Sequence, residues 1–308
     1  MIPDSTRQLS ARNHQMSHLG LGMILGGLLC VTCAHTSFAE EKQPLLIGKL
    51  LYSRLTTDTW QIWQTDLATK VHTQITFSQG DKRKPSWTPD GRIAYHTSNH
   101  GYYVVNPGSQ EGEPLLSSLW PLIDVAWTPN GARVVFSKLQ QELLDHANLW
   151  IADVSGEKQQ VLTHEAGLQY DSAWSPDGQR IAYVGGHGYG TSELYVINAD
   201  GIGRLQLTHN QTRELSPAWS PDSKRIAFVS DASGDFEIWV SRADGSGLTQ
   251  LTDSLGLDAS PAWSVDGKHI AFTTNRSGTL EIWVMNADGT DPRLLEHEDG
   301  GVCEPAWR

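Results

Sequence analysis

The chain has 308 residues and a formal net charge of −12 at pH 7. That balance argues against nucleic acid as a partner, because no basic patch is present to displace counterions. It leaves a cation or a basic protein surface open as a partner.

The first 39 residues do not read as part of the fold. Arg7 and Arg12 give a weakly basic start, and the segment 19–31, LGLGMILGGLLCV, is apolar but short for a bilayer span. Ser37-Phe38-Ala39 places small residues at the two positions that determine cleavage, so residues 1–39 are expected to be a secretory signal peptide cut after Ala39. Met16 is an alternative start, and an uncleaved anchor is the competing reading. Leu29 and Thr32, just before Cys30 and Cys33, are larger than a lipoprotein signal usually has there. After cleavage only Cys303 remains, so no internal disulfide is expected. Residues 40–45 read as a short linker, and 46–308 as the folded part.

Six tryptophans, Trp87, Trp127, Trp174, Trp219, Trp263 and Trp307, recur roughly every 40–47 residues, the period of a β-propeller blade. Around them the chain reads PSWTPDG, VAWTPNG, SAWSPDG, PAWSPDS, PAWSVDG and PAW. Each unit then adds a second apolar run such as Ile226-Ala227-Phe228, a third such as Glu237-Ile238-Trp239, and a fourth ending in Leu-Thr, such as Leu251-Thr252. β-branched and aromatic runs divided by Gly, Asp, Asn and Ser are strands joined by hairpins. In Ser175-Pro176-Asp177-Gly178, Pro presets φ, Asp bonds the local backbone and Gly accepts positive φ. The acids of such turns are therefore expected to be structural, as are the six repeated tryptophans.

Leu50-Leu51-Tyr52, Gln61-Ile62-Trp63 and Gln74-Ile75-Thr76 match runs two to four with no Trp run before them. The missing run stands at the other end, as Glu304-Pro305-Ala306-Trp307. The expected fold is all-β: a six-bladed β-propeller closed by a C-terminal strand that completes blade one.

The WSPDG, EIWVMNADG and LT elements resemble the WD-like Pro-Asp repeats of the TolB-like propeller family, over roughly residues 46–307. The resemblance implies a periplasmic protein of a Gram-negative envelope whose propeller mouth receives a lipoprotein partner. TolB itself carries an α/β domain ahead of its propeller. Only residues 40–49 precede the first strand here, so a propeller without that domain is expected.

A propeller usually binds at one mouth of its central channel, where the loops entering the innermost strands meet. Three residues before each repeated Trp stand Lys84, Asp124, Asp171, Ser216, Ser260 and Glu304. Five before stand Lys82, Leu122, Gln169, Glu214, Asp258 and Val302. The charged and polar members of both sets are candidates for partner binding; the competing reading is ordinary solvated loop charge. Trp120 falls outside the periodic set and is a candidate aromatic anchor, or else a local plug.

No GxSxG elbow, HExxH, Walker loop or dinucleotide fingerprint occurs. Cys30-Val-Thr-Cys33 has the CxxC spacing but lies in the signal segment. His164, His209 and His297 follow run four at equivalent positions without a compact ligand motif. The segment 231–235 reads as a turn rather than a calcium loop. No cofactor and no metal ligand set is therefore expected, a divalent cation in the channel being unsupported. The resulting expectation is a monomeric, non-catalytic, periplasmic protein-binding propeller with an envelope protein or lipoprotein as partner and no membrane span after cleavage. The alternative is a metal-dependent lyase or hydrolase that uses the propeller mouth.

Overall fold

The computed structural model describes residues 46–98, 101–109, 111–119, 122–140, 143–186 and 190–308. The signal-peptide and linker readings and the Trp120 candidate lie outside the described residues. Among those described, the structure is β throughout apart from one 3-10 turn, Ser117–Leu119.

Strands β1 (Lys49–Thr56), β2 (Thr59–Asp66) and β3 (Val71–Gln74) form an antiparallel run, followed by β4 (Lys82–Trp87), β5 (Ile93–Thr97), β6 (Gly101–Val105) and β7 (Glu113–Leu115). Next come β8 (Leu122–Trp127), β9 (Arg133–Gln140), β10 (Leu143–Asp153) and β11 (Gln160–Val161), then β12 (Leu168–Trp174), β13 (Arg180–Gly186), β14 (Glu193–Asn198) and β15 (Leu205–Gln206). β16 (Glu214–Trp219), β17 (Arg225–Ser230), β18 (Glu237–Arg242) and β19 (Thr249–Gln250) form one further sheet. β20 (Asp258–Trp263), β21 (His269–Thr274), β22 (Glu281–Asn286) and β23 (Arg293–Glu296) form another. The last strand, β24 (Val302–Trp307), lies antiparallel against β1, so the first sheet runs β24-β1-β2-β3.

The sheets do not divide as the repeat suggests. Among the described residues, hydrogen bonding gives four separate four-stranded sheets and one sheet of eight strands, β8 to β15. The cause is β10, whose 11 residues make it the longest strand among the described residues. Near its start, Ala147 pairs in parallel with Leu168 of β12 and its N–H donates to the Gly167 carbonyl at 3.1 Å.

The second strand of each repeat is buried on both faces, because sheet packs on sheet on either side. Ile226, Ala227, Phe228 and Val229 of β17 are all buried, as are Ile270, Ala271 and Phe272 of β21. Continuous apolar runs rather than alternation are the consequence. Where it occurs, the Leu-Thr element closes the sheet edge: the Thr208 hydroxyl accepts from the Leu194 N–H at 2.8 Å and donates to Glu193 at 2.6 Å. Thr252 repeats this with Ile238 and Glu237.

The turn chemistry is local. Ser175 donates to Asp177 Oδ1 at 2.5 Å and accepts the Arg180 N–H at 2.9 Å, while Gly178 sits at φ 72°. Ser220 and Ser264 do the same with Asp222 and Asp266.

Four of the repeated tryptophans reach back to a backbone carbonyl. Trp87, Trp219, Trp263 and Trp307 donate Nε1–H to Ala306, Ala173, Ala218 and Ile47 at 2.9–3.2 Å. The Nε1 atoms of Trp127 and Trp174 are buried without a partner. These two flank the β10 segment, where the sheets are joined. Cys303 is buried, and burial pushes its thiol up to about 12.

Candidate functional site: the central mouth

Each innermost strand, β4, β8, β12, β16, β20 and β24, carries the same irregularity. Three residues on the inner strand span two on its neighbour, as between Leu215 and Ala218 opposite Val229 and Ala227. The shift recurs in all six. It is a β-bulge centred near the third residue before the tryptophan in five strands and set one residue earlier in β8, between Leu122 and Val125. Lys84, Asp171, Ser216, Ser260 and Glu304 adopt φ of 50–58° there, although none is glycine. Left-handed backbone at a side chain with a β-carbon costs of order 1–3 kcal/mol and is held by its surroundings.

The bulge decides which side chains meet. Lys84, Asp124, Asp171, Ser216, Ser260 and Glu304 line one cavity of about 270 Å³, walled by the prolines that follow four of them and by Tyr102. Lys82, Gln169, Glu214 and Asp258 do not line it, against the expectation that both sets share the rim. They are 0–3% exposed. In an even strand, residues two apart face the same way, but one inserted residue between them breaks that alternation. Lys82 instead points its amine at the carbonyls of Ser78, Gln79 and Gly80, at 2.6–3.0 Å, and burial lowers its pKa. Glu214 accepts from Asn210, Thr212 and Ser230 through one oxygen, and its other oxygen is buried without a partner. Asp258 pairs with Arg276 at 2.8 Å and likewise keeps one buried oxygen without a partner.

Three carboxylates of the mouth bind backbone of the next inner strand. Asp124 accepts from the Ser137 N–H at 2.8 Å and the Ser172 N–H at 2.5 Å. Asp171 accepts from the Ser216 N–H at 3.1 Å. Glu304 accepts from the Lys84 N–H and the Ser53 hydroxyl, both at 2.7 Å, and from the Arg83 guanidinium. Burial pushes the Asp124 carboxyl up. Burial works the same way on Glu304, but hydrogen bonds and charge from Arg83 outweigh it and hold the carboxyl below its ordinary value. Lys84 lies 3.7 Å from Asp171, which raises the lysine pKa.

The ring is therefore uneven. Asp124 and Glu304 are committed to the scaffold. The half-exposed Lys84 amine and the hydroxyls of Ser216 and Ser260 retain bonding capacity toward the opening. Arg83 and Tyr102 belong to the site and escape sequence reasoning. Tyr102 stands where other repeats carry Ile or Leu, and its hydroxyl donates to the Ile123 carbonyl at 3.3 Å. His297 pairs with Glu281 at 3.0 Å. Among the described residues, no group of three or more His, Cys, Asp or Glu is placed to hold a metal ion.

Repeated four-stranded runs, a shared inner-strand bulge and a polar central mouth define an all-β propeller. The chain belongs to the TolB β-propeller domain family, whose PD40 model matches residues 131–308. It is similar to Uncharacterized protein Atu1656 of Agrobacterium fabrum, 27% identical over 149 residues, which cover 43% of this chain and 50% of that one. The match thus spans about half the length of that curated relative. TolB from Acinetobacter baumannii superposes with a TM-score of 0.72 at 22% identity, over 84% of this chain and 66% of that one. A putative TolB from Agrobacterium tumefaciens gives 0.65 at 20% identity, over 81% and 89%. An oligogalacturonate lyase in complex with manganese gives 0.58 at 17% identity, over 82% and 74%. At such identities these structures speak for the fold alone.

Proposed function

We propose that this protein is an exported, periplasmic propeller that binds another envelope protein at its central mouth without catalysis. In this reading the eight-stranded sheet counts as two blades joined at Ala147 and Leu168, and β24 completes the first of six. The observation that carries the reading is the convergence of Lys84, Asp171, Ser216 and Ser260 on one opening, on bulges that fix their direction. Rigidly held mixed charge and free hydroxyls suit a partner segment that inserts polar and charged side chains, steered by charge. Periplasmic location rests on the family and on the signal-like sequence of residues 1–39.

The test is site-specific photo-crosslinking in envelope preparations, with the reactive group placed at Ser260 or, as a control, at Val71 on an outer strand. One discrete adduct from Ser260, weakened by Lys84→Glu and by added salt, is expected. Equal adducts from both positions would move binding away from the mouth.

The likeness to a manganese-bound lyase keeps a metal-dependent enzyme as the second reading. A stoichiometric, tightly held divalent cation in purified protein, lost on Asp171→Asn, would favour it.

A further inference from the structure

Three repeats carry tyrosine at the centre of their second strand, Tyr52, Tyr95 and Tyr183. In two of them a basic side chain meets the phenol: His72 from the outermost strand β3, and Arg204 from the residue just before the outermost strand β15. Arg204 donates Nε–H to the Tyr183 hydroxyl at 3.0 Å, and its guanidinium carbon lies 4.1 Å over the Tyr195 ring. His72 Nδ1 lies 3.2 Å from the Tyr52 hydroxyl. Each basic group also has a carboxylate: Glu165 at 3.4 Å from Arg204, and Glu296 at 3.5 Å from His72.

The strand register makes these positions equivalent. Val196 pairs with Leu205, Gln64 with Thr73 and Val104 with Glu113. One residue earlier stand Arg204, His72 and, beside Tyr95, Gly112. A β-carbon at 112 would overlap the Tyr95 hydroxyl. The repeats with Phe136, Phe228 and Phe272 at the tyrosine position have no hydroxyl to satisfy.

Beside Tyr95 and Gly112 lies a cavity of about 380 Å³, lined by Tyr95, Tyr103, Asp81, Glu111, Gly112 and Lys82. Tyr95 stacks on Tyr103 at 6.0 Å and 23°, matching the 5.4 Å and 21° of Tyr183 on Tyr195. Among the described residues nothing bonds the Tyr95 hydroxyl and no cation covers the Tyr103 ring. Two carboxylates line the cavity against one ammonium, and the Lys82 amine is spent on three carbonyls.

We propose that this cavity binds a guanidinium group from outside the chain, in the manner that Arg204 occupies the equivalent place from within. The phenol oxygen accepts one N–H, the Tyr103 face takes the cation, and Glu111 and Asp81 balance its charge. The source is an arginine side chain of a partner peptide or free arginine.

The test titrates the full chain with three probes by calorimetry: N-acetyl-arginine-N-methylamide, free arginine, and the neutral isostere N-acetyl-citrulline-N-methylamide. Binding of an arginine compound about tenfold or more tighter than the citrulline compound is expected. Tyr95→Phe folds, because Phe is native at the equivalent position of three repeats, and weakens binding; Glu111→Gln weakens it too. Binding of the blocked form identifies a peptide side chain as the source, and binding of free arginine alone identifies the amino acid. Failure of both arginine compounds to bind, equal binding of citrulline, or full binding by both variants overturns the proposal.

Discussion

Glu304 and Arg83 stand 221 positions apart and share two hydrogen bonds of 3.0 Å each. The pair ties the final strand to the inner strand of the second sheet, at the mouth itself. The same carboxylate takes the Lys84 N–H, so one side chain joins β24 to β4 and fixes the bulge direction of both.

Arg83→Ala therefore lowers stability by about 2–3 kcal/mol, since it strands a largely buried, hydrogen-bonded carboxylate. The pH sign follows from the lowered Glu304 pKa. Its contribution is present above the ordinary carboxylate range and is lost as pH falls through the depressed folded value. Denaturant midpoints of wild type and variant converging toward low pH are the expected readout. A constant gap would assign the loss to packing.

Glu214 acts in the opposite direction. Burial raises its carboxyl to about 7. Below the unfolded value both states are protonated; between about 4.5 and 7 the folded state keeps a proton that the unfolded state releases. Stability falls with rising pH through that window, by about 3 kcal/mol as an order of magnitude. Glu214→Gln is expected to flatten the profile between pH 5 and 8. Parallel profiles for the two proteins would contradict the buried proton.

The repeated tryptophans are not equal. Trp219→Ala removes a ring buried between sheets and costs about 3–5 kcal/mol. Trp219→Phe also loses the bond to the Ala173 carbonyl, about 1 kcal/mol. Trp127 has a buried indole N–H with no acceptor, so Trp127→Phe costs less than Trp219→Phe. Matched unfolding curves decide the order.

Deleting residues 304–308 removes Glu304, Ala306 and Trp307. The Ala306 carbonyl takes the Trp87 indole, and Trp307 bonds the Ile47 carbonyl. A fall in melting temperature beyond that of Arg83→Ala is expected in thermal unfolding. Equal melting of truncated and intact protein would leave β24 without a structural part.

The sequence by itself determined the elements that depend on near neighbours. Strand runs, Ser-Pro-Asp-Gly turns and the spacing of the tryptophans are written within each repeat, because hairpin pairing and turn geometry are set by adjacent residues. The match of residues 304–307 to the missing first run placed the C-terminal strand against Leu50 and Leu51 for the same reason. The tertiary structure decided what depends on residues far apart. The inner-strand bulge separates Lys84 and Ser260 from Lys82 and Asp258, because one inserted residue changes the facing side and no local signal marks it. It also decided that Asp124 and Glu304 serve the scaffold, since their donors lie in other strands. Only the register aligns Gly112 with Arg204 and sets it beside Tyr95, because the pairing partners lie on other strands.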